Sequence, residues 1–166
     1  MCQSIVARTF WSNRRGEQPV SGKTMCSERI VQWGDSDPAG RINSPRAFDF
    51  AVEIVEAFFR TELGVNYRQL IQELGLGAPV VHSSCDYTSM LLEGDTVRLT
   101  LSVERLGTAS VTWRVVAHHW MTGAQAFSVR MISCFINNAS GKSVPIPETW
   151  RQKIGTFVSM PEAMTP

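Results

Sequence analysis

Arg46-Ala47-Phe48-Asp49-Phe50-Ala51-Val52-Glu53-Ile54-Val55-Glu56-Ala57-Phe58-Phe59-Arg60 is the stretch that decides the fold. Its polar members, Arg46, Asp49, Glu53, Glu56 and Arg60, recur every three or four residues and so fall on one narrow stripe of a helix. Phe, Ala, Val and Ile fill the rest of the circumference. A helix this apolar around most of its girth has to be wrapped by other structure. The pattern predicts a helix over residues 45–63, with Ser44 as N-cap, Pro45 in the first position and Gly64 as the stop.

What wraps it follows downstream. A short second helix is expected over residues 67–74, ending in Gly75-Leu76-Gly77. After Pro79 the chain reads as β, with strands expected at 80–90, 96–106, 109–120 and 126–137. In the second of these Val97, Leu99, Leu101 and Val103 alternate on one face. Leu106-Gly107-Thr108 and Met121-Thr122-Gly123 are turn signals, and connections this short imply antiparallel hairpins. Upstream, residues 28–33 suit a first strand, and residues 148–157 suit a closing helix. One strand, a long helix, then at least four strands make an α+β chain of one domain. A curved antiparallel sheet of about five strands wrapped around a central helix satisfies both patterns, and that architecture is the hotdog fold.

Between the first strand and the helix lies Gly34-Asp35-Ser36-Asp37-Pro38-Ala39-Gly40-Arg41-Ile42-Asn43-Ser44-Pro45. Here two carboxylates appear and the backbone turns at a Gly. A helix then opens, with unpaired amides and the positive end of its dipole facing the loop. A carboxylate beside such an oxyanion site is what hydrolysis of an activated acyl group needs.

Composition excludes other classes. The 166 residues carry 16 Lys and Arg against 15 Asp and Glu, a formal net charge of +1, which offers neither nucleic acid nor a membrane a charged surface. No apolar run is long enough for a membrane span. Cys2, Cys26, Cys85 and Cys134 lack C-x-x-C spacing, and His82, His118 and His119 lack ligand spacing, so neither a disulfide framework nor a zinc site is expected. A reduced, cytoplasmic, metal-free protein without a bound cofactor is the expectation. Residues 1–24 hold Arg8, Arg14, Arg15 and Lys23 with Glu17 as their one acid, and no apolar signal core. They read as a disordered tail, with a transit peptide as the alternative and Met25 as a candidate start. The domain is expected over residues 25–158, followed by a tail at 159–166.

With these residues in view, the chain resembles the 4-hydroxybenzoyl-CoA thioesterase branch of the hotdog superfamily. The resemblance rests on Trp33-Gly34-Asp35-Ser36-Asp37-Pro38-Ala39-Gly40, with Ser44 and Pro45 at the helix start, and covers about residues 27–154. Gly77-Ala78-Pro79-Val80 and Pro145-Ile146-Pro147-Glu148 add to it. It implies hydrolysis of an acyl-CoA thioester, with CoA as part of the substrate and not a cofactor. It implies Asp37 as nucleophile or general base, and the Ser44 backbone amide as oxyanion donor. It also implies a homodimer or homotetramer, with sheets joined edge to edge and active sites between subunits. Pro45 has no N–H, which makes Ser44 the sensible donor at this helix end. Arg41, Asn43 and Ser44 stand where such loops usually carry apolar or aromatic bulk, and this counts against an aromatic acyl group.

Other readings use the same residues differently. Asp37 alone would serve as a turn residue bonding its own backbone, and Asp35 reads as structural. Asp49 and Glu53 are rival carboxylates on the helix. His82 reads as a core or interface histidine, or as the base of a hotdog hydratase or dehydratase, and Trp113 and Trp120 as packing residues. Arg98, Arg105, Arg114 and Arg130 are candidates for the CoA phosphates. A non-catalytic acyl-CoA-binding module would have no need for Asp37.

Overall fold

The computed structural model describes residues 22–159. The expected N-terminal tail thus lies outside the described residues except at its last three positions, and the C-terminal one except at Ser159. At the two ends of the described residues, Lys23 N–H donates to the Thr156 carbonyl at 2.9 Å, and Ser159 N–H to the Val103 carbonyl at 2.9 Å.

Five strands form one antiparallel sheet in the order β1-β4-β5-β6-β3. They are β1 (Met25–Ile30), β3 (Val80–Tyr87), β4 (Thr96–Leu106), β5 (Ser110–His119) and β6 (Gln125–Cys134). A separate two-stranded ladder pairs β2 (Leu76–Gly77) with β7 (Ile136–Asn137): β2 was not expected, and the strand expected over 126–137 divides into β6 and β7. Helix α1 (Arg46–Phe58) lies in the concave face, α2 (Tyr67–Gln72) follows it, and α3 (Glu148–Gly155) packs near the end of the chain. This is the expected hotdog arrangement.

The helix is central because its apolar faces have nowhere else to go. Ala47, Phe50, Ala51, Ile54, Val55 and Phe58 are buried, and they meet the inward residues Val97, Leu99, Leu101 and Val103 of β4, all at or below 1% exposure. Each fully buried Phe, Ile or Leu is worth roughly 2–3 kcal/mol. Trp113 on β5 meets Phe58 edge-on, with centroids 5.2 Å apart, and its indole N–H donates to Ser133 Oγ at 3.2 Å. It is the packing residue expected.

Beyond Phe58 the helix winds more loosely, as a π turn over Phe59–Leu63 that stops at Gly64 with φ of 74°. The wider turn lets Phe58 and Phe59, adjacent in sequence, both be fully buried. Phe58 faces Trp113 and Phe157, while Phe59 stacks on Tyr67 and Phe135.

Two expectations need correcting. The first strand lies three residues earlier than the apolar pattern suggested, because Trp33 is 82% exposed in a short 3₁₀ turn (Trp33–Asp35) and contributes nothing to the core. Trp120 is not packed inside; it is half exposed, with the Arg98 guanidinium 4.2 Å from its ring centroid.

Candidate active site

The loop from Trp33 to Pro45 folds back on itself as a small hairpin. Asn43 N–H donates to the Asp35 carbonyl at 2.8 Å, Ser36 bridges to Ile42, and Asp37 N–H donates to the Arg41 carbonyl at 2.7 Å. Gly40, at φ of 74°, supplies the left-handed residue the tip requires. A second set of bonds docks the hairpin on the sheet end: Ile42 N–H donates to the Leu91 carbonyl at 2.9 Å, and Arg41 bridges to Leu92.

Asp35 is at the base, 4% exposed. Its carboxylate accepts from Arg29 Nη2 at 3.2 and 3.3 Å and from the Gln32 amide at 3.0 Å, and Arg46 Nε stands 3.6 Å away. Arg29 also donates to Glu53 and lies 4.0 Å over the Phe50 ring. Partial burial pulls the Arg29 guanidinium down, but its bonds to Glu53 and Asp35 win and hold it above its ordinary value. One arginine thereby ties β1, the hairpin base and α1 together. Arg46 does the same from the helix start, bonding Asp49 at 2.8 Å and the Gly34 carbonyl at 3.1 Å. The structural reading of Asp35 fits this setting.

Asp37 is at the tip and partly exposed. Its Oδ1 accepts from the amides of Ala39 at 2.8 Å and Arg41 at 3.2 Å, while Oδ2 accepts no bond from the described residues. The two oxygens therefore differ: one fixes the carboxylate in its turn, and the other carries no bond from the described residues. Ser44, further along the returning strand, is exposed, and its N–H has no acceptor among the described residues. Its hydroxyl does not cap the helix. Pro45 takes the N-cap position instead, because Asn43 and Ser44 already accept from the Arg46 and Ala47 amides at 2.8 and 3.3 Å and wind the first turn early. Asp37 and Ser44 share the hairpin but do not bond each other.

The rival carboxylates are occupied. Glu53 pairs with Arg29 and Asp49 with Arg46, along the exposed stripe of α1 beside a groove of about 330 Å³. His82 is exposed on β3, not in the core, where it follows a bulge in the pairing with β6. Among the arginines offered for phosphates, Arg98 faces Glu28 at 3.6 Å, and Arg114 and Arg130 share Glu104 at 3.5 and 2.7 Å; Arg105 is exposed. Sequence reasoning missed Arg29 and Tyr87. Arg29 sits inside a strand pattern, where a lone cation reads as solvent-facing. Tyr87 donates to the Ser44 carbonyl at 2.5 Å from 43 residues away, a separation no local signal spans.

Comparison with known proteins fits this picture. Two curated relatives carry the name 1,4-dihydroxy-2-naphthoyl-CoA hydrolase. The one from Thermosynechococcus vestitus is 30% identical over 82 residues, 49% of this chain and 56% of its own length. The one from Prochlorococcus marinus is 26% identical over 97 residues, 54% of this chain and 62% of its own length. The match therefore spans less than two thirds of either relative. A solved thioesterase-superfamily structure from Jannaschia sp. CCS1 is 25% identical and superposes with a TM-score of 0.77 over 87% of this chain and 99% of that one. Residues 31–154 match a family described as the thioesterase-like superfamily. With three quarters of its length inside that match, the chain belongs to the thioesterase-like superfamily.

Proposed function

We propose that the protein hydrolyses an acyl-CoA thioester to the free acid and coenzyme A, using Asp37 and the Ser44 amide. The observation that carries this reading is that, among the described residues, one hairpin holds a carboxylate with one oxygen fixed and one unbonded, and an amide N–H without an acceptor. In the general-base course, Asp37 Oδ2 takes a proton from water as its oxygen attacks the thioester carbon. The tetrahedral oxyanion rests on Ser44 N–H, and collapse breaks the C–S bond and releases the thiolate, which takes up a proton. In the nucleophilic course, Oδ2 itself attacks and expels the thiolate, and water then opens the mixed anhydride and restores the carboxylate. One oxyanion donor is worth roughly 3–4 kcal/mol in either course. Neither course requires a metal or a bound cofactor.

The names of the two curated relatives put aromatic acyl groups first in line for testing, and the polar Arg41, Asn43 and Ser44 put aliphatic ones beside them. Free-thiol release across a panel of aryl- and alkyl-CoA esters is the deciding experiment. Turnover of at least one ester is expected, and no release from any would overturn the reading.

A second copy of the chain belongs to the proposal. Edge strand β3 is largely exposed, with Val80 at 45% and Val81 at 63% exposure, and an open row of edge N–H and C=O groups calls for pairing. Light scattering should return a dimer or tetramer mass. A cytoplasmic setting is proposed as well: Cys26, Cys85 and Cys134 are free thiols. Among the described residues no helix is long and apolar enough to cross a membrane.

A further inference from the structure

We propose that Tyr87 is a positioning residue that fixes the direction of the Ser44 amide for the oxyanion; the inference rests on the thioesterase reading above. The Ser44 N–H belongs to the peptide unit it shares with the Asn43 carbonyl. That carbonyl accepts from Arg46 N–H at 2.8 Å, so the unit is held from the helix, and the unit before it is held from the hairpin, where Asn43 N–H donates to the Asp35 carbonyl at 2.8 Å. The next unit is held far less well. Pro45 contributes no N–H, and the Ser44 carbonyl receives only a 3.3 Å bond from Ala47 N–H within the chain's first helical turn. The Tyr87 hydroxyl supplies the missing restraint, donating to that carbonyl at 2.5 Å from the end of β3. With the peptide units on both sides of the Ser44 Cα fixed, its φ and ψ are set, and with them the direction of the N–H.

The phenol is suited to a fixed donor. Its ring packs 6.5 Å from Phe127, which joins it to the core. Desolvation first, and then the neighbouring Cys85, push the hydroxyl up to about 12, so it keeps its proton throughout the working range. The hydroxyl proton is committed to the Ser44 carbonyl and does not itself reach for an oxyanion. Tyr87 thus acts through Ser44 and not on the substrate. The arrangement joins two elements with no chemical residue of their own, the edge strand and the first helical turn, into the support of one amide.

The test is Tyr87→Phe in the full-length chain, measured with the best acyl-CoA of the panel. The variant keeps the ring on Phe127 and loses only the hydroxyl. We expect kcat to fall about 10- to 100-fold, as for a reacting group displaced by a fraction of a bond length, with KM and melting temperature nearly unchanged. The Ser44 carbonyl ¹³C resonance should move at the same time, which a remote packing defect would not produce. Unchanged kcat with a moved resonance overturns the proposal, because the bond would then exist without consequence. An unmoved resonance overturns it by showing no bond. A fall in melting temperature with kcat intact in the folded fraction overturns it in favour of a purely structural tyrosine. Wild-type protein inactive on every ester would overturn the thioesterase reading itself, and this proposal with it, whereas an active wild type whose rate survives Tyr87→Phe overturns this proposal alone.

Discussion

The base and the tip of the hairpin between β1 and α1 differ by two residues in sequence and by nearly everything in surroundings. Asp35 at the base is buried between Arg29, Arg46 and the Gln32 amide, and both its oxygens are engaged. Among the described residues, the Asp37 carboxylate at the tip accepts only from the backbone amides of its own turn, through one oxygen. A carboxylate clamped by two guanidiniums is a fastener: its charge is neutralised and its lone pairs are taken. A carboxylate fixed by neutral amides keeps a full charge and an open oxygen, which is what a nucleophile or base requires. Neighbours, not residue type, separate the two roles.

The largest predicted effect breaks the comparison at the tip. Asp37→Asn preserves size and can still cap the turn through its amide oxygen, but it removes nucleophile and base together. We expect kcat to fall about a thousandfold or more, with CoA affinity and melting temperature close to wild type. A variant that retains most of its rate would move the chemistry elsewhere.

The next effect breaks the base. Asp35→Asn removes the counter-charge that Arg29 and Arg46 share, but each keeps a second carboxylate, Glu53 or Asp49, so the cost is about 1–3 kcal/mol. Chemical denaturation should show this as a lower midpoint, and any loss of rate should be far smaller than for Asp37→Asn. Equal stability of Asp35→Asn and wild type would remove the fastener role.

The smallest effect sharpens the comparison from the helix side. Glu53 shares Arg29 with Asp35 but is half exposed, so solvent screens the pair. Glu53→Gln should cost less than about 1 kcal/mol and leave kcat within a fewfold of wild type. A rate collapse in Glu53→Gln with Asp37→Asn still active would place the catalytic carboxylate on α1.

Much of this frame is written in local patterns. The circumference of α1 announces a wrapped helix, and β4 runs from Thr96 to Leu106 as its alternation predicts, because one of its faces is fully covered. Local patterns mislead where an apolar residue serves no core. Trp33 extends the strand pattern past its true end, and Trp120 reads as packing although it carries Arg98 on the surface. Contacts that close over distance leave no trace in a single chain. Asp35 reads as structural in the sequence, but its burial by Arg29 on β1 and Arg46 on α1 is not legible there, and the bond from Tyr87 to Ser44 joins segments that only the finished sheet brings together. The motif pointed to Asp37 and Ser44, and the turn that holds Asp37 was legible beside it; what holds the Ser44 carbonyl had to come from the tertiary structure.

The π turn at the end of α1 has a bearing on how this chain tolerates changes in length. A regular helix has no spare residue, since deleting one rotates all that follows by about 100° and turns a buried face outward. Residues Phe59–Leu63 already carry one residue beyond regular winding, with exposed Thr61 inside the wide turn and buried Phe59 and Leu63 at its ends. Removing Thr61 would let the turn close as ordinary α-helix while Phe59 and Leu63 keep their places. A single-residue deletion, usually tolerated only in loops, thus has a site within the central helix of this fold.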